Sequence, residues 1–250
     1  MWGTNFSKNE FDECLMQNKS YFGKDLEAMS FAHNYHKWIV DEIAPYLGKN
    51  VAEIGAGMGN FTEYLLTRNL TRLMAFEPSD NMYKVLQEKY ASNKCVTTVN
   101  NFFEEKSADY LDAFDSVCYI NVLEHIENDK EALSHAYKTL RNNGHIIVFV
   151  PALQFLFSDL DRKVGHFRRY SKFGLVNIVQ SVGFSIERVK YFDIVGIIPW
   201  YIAFVLLKQT TTEGNVSLYD KLVVPIMRKV EHVMTPVIGK NLLLIGKKVQ

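Results

Sequence analysis

The stretch Val51-Ala52-Glu53-Ile54-Gly55-Ala56-Gly57-Met58-Gly59-Asn60-Phe61 limits what this chain can fold into more than any other. An apolar run ends in three alternating glycines, and a helical pattern follows. Glycines let a backbone turn sharply and approach a ligand closely. The start of the next helix adds oriented N–H donors. Such a strand, loop and helix belong in an α/β sheet that binds its ligand at the carboxyl ends of the strands.

The pattern on either side agrees. A helix is predicted over about Glu27–Leu47, from Phe31, Tyr35, Trp38, Ile39 and Ile43, closed by Gly48. Strands are predicted at Asn50–Ile54, Leu73–Phe76, Val96–Val99, Ser116–Ile120 and His145–Val150. Helices are predicted between them at Phe61–Thr67, Asn81–Tyr90 and Asp129–Leu140. Asn128 and Glu131 read as an N-cap and its partner, and Asn142-Asn143-Gly144 as a turn. This alternation implies a mostly parallel sheet with helices on both faces.

After Pro151 the rhythm changes. Residues 152–170 read as a long loop, followed by a helix at Lys172–Val182 and a strand at Ser185–Tyr191. An apolar segment then runs to Leu207. A polar stretch (Gln209–Asn215), a helix at Leu218–Val233 and a strand at Asn241–Gly246 complete the chain. The expected fold is a three-layer, doubly wound, mostly parallel seven-stranded sheet with a C-terminal helical cap. We read residues 1–250 as a single domain, with an N-terminal helical segment at 1–48 and an acceptor-loop and cap region at 152–238.

Composition narrows the class. Apolar residues make up 48% of the 250, enough for a large core. Lys+Arg and Asp+Glu both number 28, and the zero balance argues against a general nucleic-acid binder. Cys14, Cys95 and Cys118 include no CxxC pair, which suits a reducing compartment and offers no thiolate metal site. The N-terminal residues are polar and acidic, without the apolar core of a signal peptide. The longest apolar run, Ile194–Leu207, is interrupted by Gly196 and Pro199 and falls short of the roughly 20 residues of a membrane span. The expectation is a cytoplasmic protein with a small-molecule substrate and no nucleic acid. A peripheral membrane contact stays open, and the oligomeric state is not legible.

Two ligand classes separate on spacing. A dinucleotide site would carry GxGxxG, with its last glycine where this chain has Asn60. Here the pattern is GxGxG, preceded by Glu53. A carboxylate there repels a pyrophosphate but suits a cationic amino group. Glu77, at the end of the second predicted strand, stands where a carboxylate can take both ribose hydroxyls, a feature shared with nicotinamide folds. An NAD(P) oxidoreductase is therefore the weaker alternative.

From about Tyr35 to Pro151 the chain resembles the class I methyltransferases that use S-adenosylmethionine (SAM). The resemblance rests on Glu53-Ile54-Gly55-Ala56-Gly57-Met58-Gly59, Phe76-Glu77-Pro78, Phe114-Asp115-Ser116-Val117, Asn121-Val122-Leu123-Glu124-His125-Ile126 and Leu140-Arg141-Asn142-Asn143-Gly144. It implies SAM as cofactor. The glycine loop, with Glu53, Gly55, Ala56, Gly57 and Asn60, would hold the methionine part, and Glu77-Pro78 the ribose. Asn101 and Phe102 would meet the adenine, with Asn101 in place of the usual Asp; its side-chain oxygen still accepts from an amine. Asn121 and Val122 would lie along the cofactor. A SAM-fold protein without catalysis is a further alternative.

Glu124 and His125 follow the fourth predicted strand. In many class I enzymes this pair holds the loop. In the ubiquinone-biosynthesis O-methyltransferases a similar segment, with Glu at the position of Asn121, resembles a divalent metal site. Asn121 removes that charge, so no metal is expected and activity is expected to survive chelation. A direct catalytic role for His125 is the remaining reading.

Residues 159–170 lie outside the cofactor motifs and resemble the GHxRRY stretch of a group of bacterial small-molecule methyltransferases. His166 is the natural general base for a hydroxyl acceptor near neutral pH. Arg168 and Arg169 suit a carboxylate or phosphate, and Tyr170 could orient a hydroxyl or stack on a ring. The alternative is a network with Asp159 and Asp161 that pins the loop. Trp200 and the apolar residues around it fit a substrate lid, a core or dimer helix, or a membrane surface. The expected reaction is methylation of a small-molecule hydroxyl on an anionic or lipid- or glycan-linked metabolite.

Overall fold

The computed structural model describes residues 32–208 and 213–249. The start of the first expected helix, Cys14 and most of the polar stretch after Lys208 lie outside them. Seven strands form one sheet in the order β3-β2-β1-β4-β5-β7-β6. They are β1 (Asn50–Ile54), β2 (Arg72–Phe76), β3 (Val96–Val99), β4 (Phe114–Ile120), β5 (Leu140–Pro151), β6 (Phe184–Phe192) and β7 (Asn241–Lys248). The first five run parallel, and β7 pairs antiparallel with both β5 and β6.

The helices are α1 (His33–Ile43), α2 (Thr62–Leu65), α3 (Asp80–Tyr90), α4 (Phe103–Lys106), α5 (Asp129–Thr139), α6 (Asp159–Lys163), α7 (Lys172–Ser181), α8 (Ile197–Trp200), α9 (Glu213–Leu222) and α10 (Val224–Val233). Two buried clusters occupy the two faces of the sheet, as a parallel sheet covered on both sides requires. One joins Ile54, Phe76, Tyr119 and Val148 to Leu133, Tyr170 and Leu175. The other joins Val51, Cys118, Ile147 and Phe149 to Trp38, Ile39, Phe192, Val224 and Met227.

Three differences from the sequence reading have physical causes. The predicted helix over Leu218–Val233 is two helices, because Pro225 lies in the first turn of α10 and has no N–H to continue α9. The segment 152–170 contains ordered turns: a 3-10 turn at Gln154–Leu156 and α6, opened by a capping box between Ser158 and Asp161. A helix of one or two turns shows no period, so side-chain hydrogen bonds define it instead. The Asn142-Asn143-Gly144 signal falls inside β5, where Asn143 has φ 66° and the register with β4 shifts between Phe114 and Ser116.

The C-terminal helices pack against the first helix. Asp220 of α9 accepts from the backbone N–H groups of Asn34 and Tyr35, each at 2.9 Å. Arg228 of α10 reaches Asp41 at 2.6 Å. With Val224 and Met227 in the same cluster as Trp38, α9 and α10 complete the layer that α1 begins. No helix among the described residues is long and apolar enough to cross a membrane.

Candidate active site

The glycine loop links β1 to α2 at the carboxyl edge. Gly55, Gly57 and Gly59 have φ of 65°, 57° and 77°, a region other residues enter only with strain. Space forbids a side chain as well. A Cβ on Gly55 would lie 2.7 Å from Val122 Cγ2, and one on Gly59 2.5 Å from the Tyr90 ring. The loop is thus clamped between the end of β4 and the end of α3. Ala56 N donates to Phe76 O at 2.9 Å, and Tyr90 Oη donates to Gly59 O at 2.8 Å. In sequence Tyr90 reads only as a core position of its helix; nothing there signals the contact.

Two buried carboxyls flank this loop. Glu77 Oε2 accepts from Gly57 N at 2.7 Å, and its Oε1 accepts from Ser79 N at 2.8 Å. Burial raises its pKa against the pull of these donors. Glu53 Oε2 accepts from Thr62 Oγ1 at 2.6 Å. Burial, opposed by Thr62 and reinforced by the charge of Glu77, pushes Glu53 up to about 8. Thr62 was not singled out in the sequence, although it sits at the first position of a short helix where a hydroxyl meets the strand end. Both carboxyls are short of water and repel each other, so a cation beside them relieves both. That is a fit to the positive charges of SAM and a misfit to a pyrophosphate.

The other predicted cofactor residues lie on the same edge. Asn101 follows β3; its Oδ1 accepts from Phe102 N at 2.8 Å and has a second lone pair for an amine donor, while the Phe102 ring is 47% exposed. Pro78 and Asn60 are half-buried. Asn121 takes φ 53° and donates its N–H to Phe149 O at 2.7 Å. That turn at the end of β4 carries Val122 onto Gly55.

The segment after β5 folds back onto the loop after β4. Phe167 N donates to Glu124 O at 2.9 Å, and the His125 and His166 rings meet edge to face at 4.5 Å. His166 Nδ1 lies 2.9 Å from Asp161 Oδ1, while its Nε2 lies 3.9 Å from Glu124 Oε1. Glu124 is fully buried, and burial pushes it up to about 8 despite the charge of Arg169. Burial, with the neighbouring His166, lowers His125 to about 3. Glu124, His125 and His166 each present a ligand-type atom, all within 4.8 Å of one another.

The remaining predicted acceptor residues divide. Arg169 is buried: its Nε donates to Asp161 Oδ1 at 2.9 Å and its Nη2 to Asp161 Oδ2 at 3.1 Å. The Trp200 ring covers its guanidinium at 4.7 Å. Tyr170 is buried in the core and donates to Asp129 Oδ2 at 2.8 Å. The acceptor reading of both gives way to a holding role, which for Arg169 is the alternative network with Asp161 and for Tyr170 a bond to Asp129. Arg168 stays partly exposed, with Asp129 at 2.7 Å and the Glu127 carbonyl at 2.7 Å. Trp200 donates to Leu156 O at 3.2 Å. Beyond it, Ile198, Ile202, Leu206 and Leu207 are exposed.

Comparison with known proteins agrees with this geometry. The family described as "Methyltransferase domain" matches residues 52–146, which span the glycine loop, Glu77 and the end of β4. Residues 52–146 thus match a methyltransferase domain, and the sheet has the fold of class I SAM-dependent methyltransferases. An uncharacterised methyltransferase of Bacillus mycoides is 29% identical over 161 residues, 64% of this chain and 71% of that protein. The mitochondrial ubiquinone biosynthesis O-methyltransferase of Dictyostelium discoideum is 25% identical over 118 residues. That match takes in 42% of this chain and 36% of the relative's length. Among solved structures, a SAM-dependent methyltransferase from Archaeoglobus fulgidus has a TM-score of 0.59 at 17% identity, covering 85% of this chain and 92% of its own. One from Mesorhizobium loti has a TM-score of 0.56 at 13% identity, with 84% and 95% covered. These structures share the fold of this chain, and the carboxyls and glycine loop described above fit SAM as its cofactor.

Proposed function

We propose that this methyltransferase methylates a hydroxyl of a small-molecule acceptor. The observation that carries the reading is His166, anchored by Asp161 through one ring nitrogen and turned through the other toward Glu124 and His125. When bound, SAM supplies a methyl group on a sulfonium sulfur. Glu53 and the glycine loop hold its methionine part, Glu77 its ribose, and Asn101 with Phe102 its adenine. Val122, packed on Gly55, ties the loop carrying Glu124 and His125 to that site.

An acceptor hydroxyl must lose its proton as its oxygen bonds the methyl carbon and the carbon–sulfur pair withdraws to sulfur. The cluster centred on His166 is placed to remove that proton. Asp161 sets the tautomer and orientation of the ring, the second partner a working histidine needs. Arg168 is the guanidinium within reach of an anionic group on the acceptor. The exposed Ile198, Ile202 and Leu206 support an apolar, lipid- or glycan-linked portion, and with it a peripheral membrane contact in the cytoplasm.

The test is transfer of a labelled methyl group from SAM to metabolites of a cell extract, read by mass spectrometry. A hydroxyl product whose formation collapses in His166→Ala supports the reading. Label on an amine or a carbon would overturn it.

A further inference from the structure

We propose that Glu124, His125 and His166 form a binding site for a divalent first-row transition metal ion. The proposal rests on the reading of this site as the place where the acceptor hydroxyl binds. The sequence argued against a metal because Asn121 stands where a carboxylate would be wanted. The tertiary structure supplies a different third group, His166, from the segment after β5. The one carboxylate and two imidazoles lie within 4.8 Å of one another.

Two further observations point to a cation rather than to a packed loop. The first is that Glu124 is fully buried, and neither of its carboxylate oxygens has a hydrogen-bond partner among the described residues. A buried carboxyl without a partner is destabilising, and a bound cation would supply the missing partner. Arg169, the nearby cation, is committed to Asp161 through two donors. The second observation concerns the imidazoles. Metal-binding histidines carry a second partner on the other ring nitrogen, which orients the ring and raises its basicity. His166 has Asp161 at 2.9 Å on Nδ1. His125 is hydrogen-bonded to the backbone at Val164 and Gly165. The Nδ1 of His166 is therefore anchored, and its Nε2 faces Glu124 at 3.9 Å.

The donor set selects the ion. Two imidazoles and one carboxylate suit zinc, cobalt, manganese or iron(II), whereas magnesium prefers oxygen ligands and water. Such ions sit about 2.0–2.2 Å from their ligands, so binding draws the three groups together by about an ångström. Three protein ligands leave positions open. An acceptor hydroxyl bound there would lose its proton to solvent and meet the methyl group as an alkoxide, as metals lower the pKa of bound oxygen ligands. With the ion bound, His166 Nε2 would be a ligand and not a base, and the metal would take over the deprotonating role that the imidazole holds without it.

The experiment uses the full chain, stripped with EDTA and titrated with Co2+, whose visible absorption reports its coordination without any turnover. We expect one equivalent to bind with a visible band, displaced by Zn2+. Glu124→Gln, His125→Gln and His166→Gln should each weaken Co2+ binding by more than about tenfold, the scale on which even outer partners act. Circular dichroism identifies a variant that fails to fold, and the remaining variants then decide. No visible band with Co2+, or binding indifferent to the folded variants, would overturn the site. Cobalt binding without transfer to any hydroxyl would keep the metal and sink the hydroxyl reading. Hydroxyl transfer that survives EDTA, with no cobalt band, would do the reverse.

Discussion

The glycine loop and the 158–170 segment stand on the same edge of the sheet, yet one is shaped by backbone and the other by buried charge. The loop is held by three left-handed glycines, a main-chain bond to β2 and the steric wall of Val122 and Tyr90. The segment is held by Asp161, which meets Ser158, His166 and Arg169 at 2.8–2.9 Å. Burial raises the pKa of Asp161, but the hydrogen bond from His166 and the charge of Arg169 outweigh it and bring it below the ordinary range. The contrast teaches that the cofactor side tolerates little change of shape, while the acceptor side tolerates little change of charge.

Substitutions can break this comparison. The largest effect is expected on the charge side. Arg169→Ala leaves Asp161 buried without its guanidinium and should cost about 3–5 kcal/mol of stability, read from the urea midpoint. If the variant is as stable as the parent and loses only acceptor affinity, the segment is a binding surface and the contrast fails. Next, His166→Ala should lower turnover by about 10²–10³-fold, within the range of positioned acid–base groups, and leave the SAM dissociation constant nearly unchanged. Steady-state kinetics beside calorimetry separates the two; equal losses in both would make His166 part of the cofactor site.

On the backbone side, Glu77→Ala removes the acceptor for Gly57 N and the expected ribose contact. SAM binding should weaken by about 1.5–3 kcal/mol in calorimetry, the scale of hydrogen bonds to a charged group. Undiminished affinity would remove Glu77 from the site.

A smaller effect is expected from Glu53, whose folded pKa of about 8 lies above its unfolded value. The sign follows from proton counting. Between the two values the folded carboxyl holds a proton that the unfolded one has lost, so stability from this group is present at low pH and fades as pH rises through about 8. A cationic ligand binds the ionised form. SAM affinity should therefore rise with pH toward 8, by at most about 1.4 kcal/mol per unit, and binding should release a proton. Glu53→Gln should flatten the profile, and an unchanged slope would assign the titration elsewhere. The smallest effect is expected at Arg168, whose pair with Asp129 is partly exposed. Arg168→Ala should change stability by less than about 1 kcal/mol while raising the acceptor KM.

Most of the fold was legible before any coordinates. β1 and β3 match their predicted ranges, β2, β4, β6 and β7 extend theirs by one or two residues, and β5 starts five residues earlier and ends one later. Glu53, Gly55, Gly57 and Glu77 were found because each lies next to a strand end, where residue type and spacing report local geometry. Thr62 and Tyr90 carry no such signal, because their partners are a strand-end carboxyl and a loop carbonyl that sequence spacing does not identify. Arg169 and Tyr170 illustrate the opposite limit: an arginine and a tyrosine in a polar run look outward until a buried carboxylate is known to lie behind them.

The sequence by itself determined the parallel sheet, the loop and the class of ligand that loop can accept. Apolar period, glycine spacing and the sign of a neighbouring side chain act over a few residues and need no partner from afar. Tertiary structure alone decided which side of Arg169 is inside, where α9 and α10 pack, and that Glu124, His125 and His166 meet. The 158–170 segment touches the loop after β4 across 41 residues of chain, as in the bonds from Arg168 to Glu127 and from Tyr170 to Asp129. Contacts of that separation exist only once β4 and β5 are paired and α5 is docked, so the charges they bring together are a property of the packed sheet.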